Sequence, residues 1–375
     1  MSLARFREEF PILADTVYLN SNSTGAFPRG MQAALQRYAA TLAGWRDEVW
    51  ASWWHELLRY HAGIEALLGA APGTVVTDGS VSTLLGRLAT AFSFAGERRR
   101  VITTDLEFPS VPFIWEAFRR YGAEPVVVET GDDPEAALEA AIDERAQLVC
   151  VTHASFRTGR LLDLDRIVRA ARRAGALLIV DAYQTVGVVP IDVGRTGVDF
   201  LLGGAHKWLC GAIESAFLYV RPALLPSLEP AATGWMAGED PFTFEPQKAR
   251  HPTALRFAAG TPAILPALLS MPGLDLLRQA GLDAIRDHSL ALTARILDWA
   301  DAHGIESPTP RAAERRGGIV ALRFPGDRQV AAELVRRGFV CSWRGGLRIA
   351  PHYYNTADEV DRFLAALIEV RREVA

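Results

Sequence analysis

Cysteine and long apolar runs are scarce in this sequence. Its three cysteines are far apart and form no CxxC pair, so neither a disulfide framework nor a zinc site is expected, and we predict no bound metal. No stretch approaches the roughly eighteen apolar residues that a membrane span requires. The first residues also lack the apolar core of a signal peptide. These absences predict a cytoplasmic protein that is neither secreted nor inserted in a membrane.

A concentration of basic residues is missing as well. The formal net charge is −4 and no long basic run occurs, so we expect no binding to nucleic acid or to anionic membranes. Apolar residues make up 49% and charged residues 22%, which is typical of a globular protein and not of a disordered one. A chain of 375 residues exceeds one ordinary domain, so we expect a large domain with room for a buried ligand and a smaller one.

Short apolar segments alternate with segments of helical periodicity over much of the chain. The apolar segments are continuous hydrophobic runs, which indicates strands buried on both faces and therefore a parallel sheet covered by helices. One helix is expected over 164–174, because Gly175 closes it directly before the strand LLIVD. We predict a doubly wound α/β fold with strands at 74–77, 100–104, 125–128, 147–152 and 177–181.

The composition of the sequence changes after about residue 240. Prolines become frequent there, and a long segment of helical periodicity follows. The last part holds two strand-like segments, GGIVALRF and GLRIAP. It ends in an amphipathic helix that Thr356 and Glu359 introduce as a capping box. We therefore predict an N-terminal segment at 1–15, a large α/β domain at 16–245 and a small α+β domain at 246–375.

Polar residues that follow apolar strands are the first candidates for a site, because ligands of open parallel sheets lie at the carboxyl ends of the strands. In VTDGSVST, Ser80 and Val81 stand between a strand and a helix, where backbone amides can bind a phosphate. Turns of this composition also open many helices that bind nothing, so this motif alone is a weak indication.

Asp181 and Lys207 are stronger candidates. Asp181 ends the strand of LLIVDAYQ, where a buried carboxylate requires a cation. A protonated pyridine nitrogen would supply that positive charge. A salt bridge to an arginine, or a helix cap, is an equal interpretation of this aspartate. Lys207 lies in LLGGAHKWLCG, in a chain where lysine is scarce. A desolvated lysine has a lowered pKa and forms Schiff bases with carbonyl compounds. A surface lysine in a turn is the common alternative, but it fits this segment of glycines and apolar residues less well.

The order of these motifs resembles that of the class V aminotransferases, a branch of the fold-type I pyridoxal-phosphate enzymes. Both have a phosphate-binding turn, an aromatic residue, a strand-end Asp with Gln three residues later, and then His-Lys. The resemblance covers nearly the whole chain and implies the fold-type I architecture with pyridoxal 5'-phosphate as the cofactor. Class V contains aminotransferases, kynureninases and cysteine desulfurases.

The resemblance implies a role for each residue that matches a motif of the family. Ser80 and Val81 would present backbone amides to the phosphate. Phe108 would stack on the pyridine ring, although a Phe after a strand is otherwise more often a core residue. Asp181 would keep the ring nitrogen protonated, which makes the ring an electron sink. Gln184 would donate a hydrogen bond to the phenolic oxygen.

The remaining matches imply the covalent bond, the dimer and the substrate contact. His206 would contact the phosphate, and Lys207 would carry the cofactor as a Schiff base and then move a proton. Thr261 in RFAAGTP matches the threonine that reaches the phosphate of the neighbouring subunit, which implies a homodimer with active sites at the interface. Arg348 in GLRIAP matches the arginine that binds the α-carboxylate of the substrate. By itself, a strand arginine facing solvent is an equal interpretation.

Several segments resemble kynureninases within this family. They include NSTG, which begins at Asn22, a predicted substrate contact, and TGWMAGEDPF with Trp235, a predicted cofactor contact. Kynureninases usually carry Tyr before the Schiff-base lysine and His three residues after the Asp, whereas this chain has His206 and Gln184. We therefore predict an aminotransferase acting on a small amino acid. A kynureninase-like hydrolase that cleaves the Cβ–Cγ bond is the alternative.

Two further activities are less expected. A cysteine desulfurase needs a reactive cysteine in a mobile loop, but Cys341 lies in the apolar segment FVC and Cys210 follows the Lys207 segment, so both are interpreted as packing residues. A cofactor-binding protein without catalysis is disfavoured because Lys207, Asp181 and Arg348 are all present.

Overall fold

The computed structural model describes residues 3–46, 49–245 and 249–374. Its strands and helices, in chain order, are β1 (Val17–Tyr18), α1 (Arg29–Ala43), α2 (Val49–Leu67), β2 (Val75–Asp78), α3 (Val81–Ala89), β3 (Arg100–Thr104), α4 (Ser110–Phe118), β4 (Glu124–Val128), α5 (Pro134–Ala141), β5 (Ala146–Thr152), α6 (Leu164–Ala174), β6 (Leu177–Asp181), α7 (Val193–Thr196), β7 (Phe200–Gly204), β8 (Ala216–Val220), α8 (Ile264–Ala280), α9 (Leu282–Ala302), β9 (Val320–Leu322), α10 (Asp327–Arg336), β10 (Phe339–Val340), β11 (Ser342–Trp343), β12 (Leu347–Ile349) and α11 (Ala357–Val374).

A seven-stranded sheet forms the centre of the molecule, with the strand order β2-β8-β7-β6-β5-β3-β4. Strands β3 to β7 pair with one another in parallel, and β8 is antiparallel to both of its neighbours. The five strands predicted for this sheet are all present. Strands β3 and β6 have the predicted ends, and those of β2, β4 and β5 differ by one residue. The predicted mainly parallel sheet is therefore confirmed.

Helices cover both faces of this sheet. Alternate side chains of β5 enter different core clusters, because successive residues of a strand point to opposite faces. Leu148 and Cys150 join the cluster that contains residues of α3 and α4. Val149 and Val151 join the cluster that contains residues of α2 and α8. The doubly wound arrangement follows from this two-sided burial.

Local signals set the ends of the helices that position the candidate residues. Ser80 caps α3, since its Oγ accepts a hydrogen bond from the Thr83 amide at 3.1 Å. Asp163 caps α6 in the same way, and Gly175 ends α6 in the left-handed conformation with φ of +68°. Strand β6 follows directly and carries Asp181 at its carboxyl end.

A second, three-stranded sheet lies in the C-terminal part, with the order β11-β12-β9. Its core cluster also includes Val17 and Leu19 from the N-terminal part, where β1 pairs in parallel with β10. Helix α8, by contrast, packs in the cluster of the large sheet. The predicted domain boundary at 245/246 adjoins residues 246–248, which lie outside the described residues, and the division stays a prediction. Among the described helices, none is long and apolar enough to cross a membrane.

Candidate active site

A cavity of about 700 Å³ opens at the carboxyl ends of the parallel strands, where the sequence places the candidate residues. It is bounded by the ends of β2, β5 and β6 and by the segment after β7. The structure brings together nine of the residues proposed from the sequence, which all line this cavity: Asn22, Ser80, Val81, Phe108, Asp181, Gln184, His206, Lys207 and Arg348.

The amine of Lys207 lies near two aromatic rings in this cavity. Its Nζ is 5.6 Å from the ring centre of Phe108 and 4.4 Å from that of Tyr183. Burial lowers the pKa of the Lys207 amine to about 8, although the nearby Asp181 carboxylate opposes this shift. The amine therefore has a much larger neutral fraction near neutral pH than an exposed lysine has.

Asp181 lines the same cavity as Lys207. Burial raises the pKa of its carboxyl group, while the Tyr183 amide that donates to Oδ1 at 2.9 Å and the Lys207 charge lower it. A carboxylate of this kind gains stability from a cation placed beside it.

The turn after β2 and the start of α3 form one end of the cavity. Gly79, Ser80, Val81 and Ser82 line it there, together with His206. The Nδ1 of His206 is 2.8 Å from the Tyr183 hydroxyl. Burial and then the Lys207 charge lower the pKa of His206 to about 4, so its imidazole is neutral at neutral pH. The helix N-terminus with a neutral imidazole beside it is suited to a phosphate group.

Arg348 lies on the side of the cavity formed by the C-terminal part. It is only 3% exposed, its Nη1 donates to the carbonyl of Phe156 at 2.7 Å and its Nη2 donates to Ser23 Oγ at 3.3 Å. Burial lowers its pKa to about 10, which leaves the guanidinium charged at neutral pH. Among the described residues, Arg348 Nε and Asn22 Oδ1 are buried without a hydrogen-bond partner. Buried polar atoms of this kind favour a polar ligand.

Two predicted site residues, Trp235 and Thr261, do not line this cavity. Trp235 lines a different cavity, where its ring centre is 5.3 Å from that of Phe244. Thr261 is exposed and does not line the main cavity. Their proposed contacts with the cofactor are therefore not made within a single chain.

Several residues of the cavity were not singled out from the sequence. Tyr183 stands between Asp181 and Gln184 in DAYQ, so its position in the motif could have indicated it. Arg344 and Glu214 line the cavity from loops, and no local pattern marks them. Glu107 is buried, and its Oε1 accepts from the amide of the cavity residue Thr152 at 2.9 Å. Burial raises the pKa of Glu107 to about 8; its neighbour Phe108 was recognised from the sequence, but Glu107 was not.

All three cysteines are packing residues, as the sequence indicated for Cys341 and Cys210. Cys150, Cys210 and Cys341 are all buried, with exposures of 0%, 0% and 5%. Burial raises the pKa of the Cys341 thiol to about 12 and that of Cys210 further. Neither is available as a thiolate near neutral pH.

A desolvated lysine near two rings, a strand-end carboxylate and a helix N-terminus on one cavity define a pyridoxal-phosphate-type active site on a doubly wound sheet. The chain belongs to the aminotransferase class-V family, whose model matches residues 17–363. It is therefore a pyridoxal-phosphate-dependent enzyme, and the family resemblance noted in the sequence is confirmed.

Similar proteins agree with this family. An uncharacterised aminotransferase of Bacillus subtilis, YcbU, is 33% identical over 95% of each chain. A kynureninase of Deinococcus radiodurans is 33% identical over 91% of this chain and 86% of its own. The structure of a cysteine desulfurase from Thermococcus onnurineus superposes with a TM-score of 0.88 at 23% identity and covers 98% of both chains. This last likeness confirms the predicted fold-type I architecture.

Proposed function

We propose that this enzyme transfers the amino group of a small amino acid, with its cofactor bound covalently to Lys207. The observation that carries the proposal is the placement of the Lys207 amine, with a pKa lowered to about 8, in one cavity with Asp181 and Arg348. This arrangement supplies a nucleophilic amine, a partner for a ring nitrogen and a cation for a carboxylate.

The residues of the cavity fit pyridoxal phosphate. The amides of Ser80 and Val81 would hold the phosphate together with His206, and Phe108 would cover one face of the ring. Asp181 would pair with the ring nitrogen and keep its proton in place. When bound, the cofactor supplies an electron sink for a bond broken at the substrate α-carbon.

Arg348 would bind the α-carboxylate of the amino acid. Its guanidinium is held by Phe156 and Ser23 and keeps Nε without a partner among the described residues. A fixed guanidinium loses little entropy when it binds a carboxylate. Asn22, whose Oδ1 is also unpartnered in the described part of the chain, would contact the same substrate.

Lys207 would also move the proton at the substrate α-carbon. A base is most effective when its pKa is close to the working pH, and burial brings that of Lys207 to about 8. The rings of Phe108 and Tyr183 both lie near this amine. Lys207 is therefore the position where we expect substitution to be most damaging.

A kynureninase-like hydrolase is the second candidate. The similarity to the kynureninase of Deinococcus radiodurans favours it, and so does the Tyr183 phenol, which lies beside His206 at 2.8 Å. Kynureninases use a tyrosine adjacent to the lysine for proton transfer, and here a tyrosine from another segment lies next to Lys207. A desulfurase activity is disfavoured by the buried cysteines, and a protein without catalysis by the intact set of Lys207, Asp181 and Arg348.

We further propose that the enzyme is a homodimer with active sites at the interface. The exposed position of Thr261 supports this arrangement, because only a partner subunit could bring Thr261 to the cofactor phosphate. The same argument applies to Trp235 if it contacts the cofactor. A cytoplasmic location remains part of the proposal, and three cysteines without disulfides are compatible with it.

The decisive experiment compares two reactions of the cofactor-loaded enzyme. One assay supplies a panel of small amino acids with an oxo acid acceptor, and the other supplies kynurenine and monitors anthranilate. Formation of a new amino acid, lost in K207R, supports the aminotransferase. Release of anthranilate at a higher rate than amino-group transfer would instead support the kynureninase-like hydrolase. Absence of both reactions with cofactor bound would reject both.

A further inference from the structure

Gln184 makes two buried hydrogen bonds that determine how its side chain faces the cavity. Its Nε2 donates to the backbone oxygen of Asn22 at 3.0 Å. Its Oε1 accepts from the indole Nε1 of Trp208, also at 3.0 Å. Trp208 directly follows Lys207 in the sequence but does not line the cavity.

These two partners specify the orientation of the Gln184 amide. An indole N–H can only donate and a backbone carbonyl can only accept. The reversed amide would place the NH₂ group against the Trp208 N–H and its oxygen against the Asn22 carbonyl. Only the observed orientation satisfies both partners. It engages Oε1 with Trp208 and leaves the second hydrogen of Nε2 for a ligand in the cavity.

Trp208 is itself held firmly. The indole is fully buried with Ile319 and Ala350, where the large sheet meets the C-terminal sheet. The Trp208 carbonyl accepts from His352 Nε2 at 2.8 Å, and the two rings meet edge to face at 5.3 Å. A Cβ added at Gly318 would lie 2.6 Å from Cη2 of the indole. The indole therefore fills the space beside Gly318 and cannot turn without repacking.

We propose that Trp208 is a positioning residue that makes Gln184 a hydrogen-bond donor toward the phenolic oxygen of the cofactor. This inference rests on the proposed binding of pyridoxal phosphate with Gln184 beside that oxygen. A donor stabilises a negatively charged oxygen, whereas an amide oxygen turned toward it would repel it. Trp208 thus acts through Gln184 without touching the cofactor, and it lowers the pH at which the bound cofactor loses its proton.

The visible absorption of the bound cofactor, followed against pH, measures this effect without an activity assay. The measured quantity is the midpoint of this titration, the pH at which half of the bound cofactor has lost its proton. In Q184A this midpoint should rise by about one pH unit, because a hydrogen bond to a charged group stabilises it by about 1.5 kcal/mol, the equivalent of about one pH unit. In W208F the midpoint should rise by ~0.5 pH unit, since the Asn22 contact still favours the observed orientation. In the double variant W208F/Q184A, the midpoint should equal that of Q184A.

Two further variants test whether the shift in W208F comes from the lost hydrogen bond to Gln184 or from the loss of core volume. G318A pushes the indole from its place without removing its N–H, and it should raise the midpoint if W208F fails to fold. W115F removes a fully buried indole from another part of the core and should leave the midpoint unchanged.

The possible results distinguish this proposal from the one on which it rests. An unchanged midpoint in W208F or in G318A, with cofactor bound, would overturn the positioning role. The positioning role would also be overturned if W208F shifted the midpoint by the same amount in the Q184A background as in the wild-type background. If the wild-type protein takes up no pyridoxal phosphate and develops no visible band, the proposed function fails instead.

Discussion

At the scale of single residues, burial is the main influence on the chemistry of the cavity. It lowers the pKa of Lys207 and His206 and raises those of Asp181 and Glu107, in each case as the largest cause. Removal of water penalises the charged form of every group. The same cavity therefore holds a nucleophilic amine, a neutral imidazole and a carboxylate that favours a cationic neighbour.

The Lys207 shift predicts the pH dependence of cofactor uptake. Only the neutral amine attacks an aldehyde, so covalent attachment of pyridoxal phosphate to cofactor-free protein should accelerate as pH rises through about 8 and then level off. Stopped-flow absorbance measures this rate. Because Asp181 raises the pKa of Lys207, D181N should move the midpoint to lower pH. A wild-type midpoint near that of an exposed lysine would contradict the burial argument.

The site of attachment can be mapped without ambiguity. Lys248 is the only other lysine of the sequence. Borohydride reduction of the holoenzyme followed by peptide mass spectrometry should therefore find the cofactor mass on Lys207 alone. K207R keeps the charge but should show no label, and label on Lys248 would contradict the assignment.

The carboxylate-binding role proposed for Arg348 predicts that its substitution weakens substrate binding. R348A removes a buried, charge-assisted contact, so the KM for the amino acid should rise by the equivalent of about 2–4 kcal/mol, or ~30- to 900-fold. Steady-state kinetics measure this change, and thermal unfolding checks that the variant is folded. R336A, at an exposed ion pair on α10, is the matched control. An unchanged KM in R348A would reject the carboxylate role.

At the scale of elements, the N-terminal segment 20–26 packs tightly against the segment that carries Lys207. The Gly25 amide donates to the His206 carbonyl at 2.7 Å. A Cβ added at Gly25 would overlap the carbonyl oxygen of Lys207. The position of the active lysine is therefore set by an element that precedes it by more than 180 residues in the sequence.

This packing predicts opposite effects for two glycine substitutions. G25A should lower the free energy of unfolding by about 1–3 kcal/mol and weaken cofactor binding, because the Lys207 segment must shift. G86A lies within α3 with nothing within 4 Å of the added Cβ, so it should raise stability by about 0.5–1 kcal/mol. Urea unfolding measures the change in free energy of unfolding for G25A and for G86A. Equal changes in the two variants would show that the close approach of Gly25 to the Lys207 carbonyl does not destabilise G25A.

At the scale of the whole molecule, the cavity is built from both parts of the chain and is completed, in our proposal, by a second subunit. Arg348 comes from the C-terminal sheet, Asp181 from a strand of the large sheet, and Lys207 from the segment that follows β7. Trp208 lies where the two parts meet. Thr261 remains exposed outside the cavity of its own chain.

The dimer predicts that cofactor affinity depends on association. T261A should weaken pyridoxal phosphate by about tenfold, because one hydrogen bond to a charged group is lost, while the unfolding of the chain stays unchanged. Cofactor titration measures the affinity, and sedimentation of the holoenzyme measures the assembly. A monomer that binds the cofactor with full affinity would contradict the arrangement.

The residues alone were enough to predict the parallel α/β class, the strand that ends at Asp181, the glycine that ends α6 and the motif order that identifies the family. Each of these depends on periodicity or spacing along the chain, which the residues show directly. The burial of Cys341 and Cys210 was also predictable, because each lies within or beside an apolar segment.

Which distant residues share the cavity, and how they face one another, follows only from the packing of the folded chain. The bond from Arg348 to Phe156 and the bond from Gln184 to Asn22 each join residues more than 150 positions apart. Tyr183, though part of a recognised motif, acquires its place beside Lys207 only when β6 and β7 lie side by side. Such contacts arise from packing, and no local pattern in the sequence encodes them.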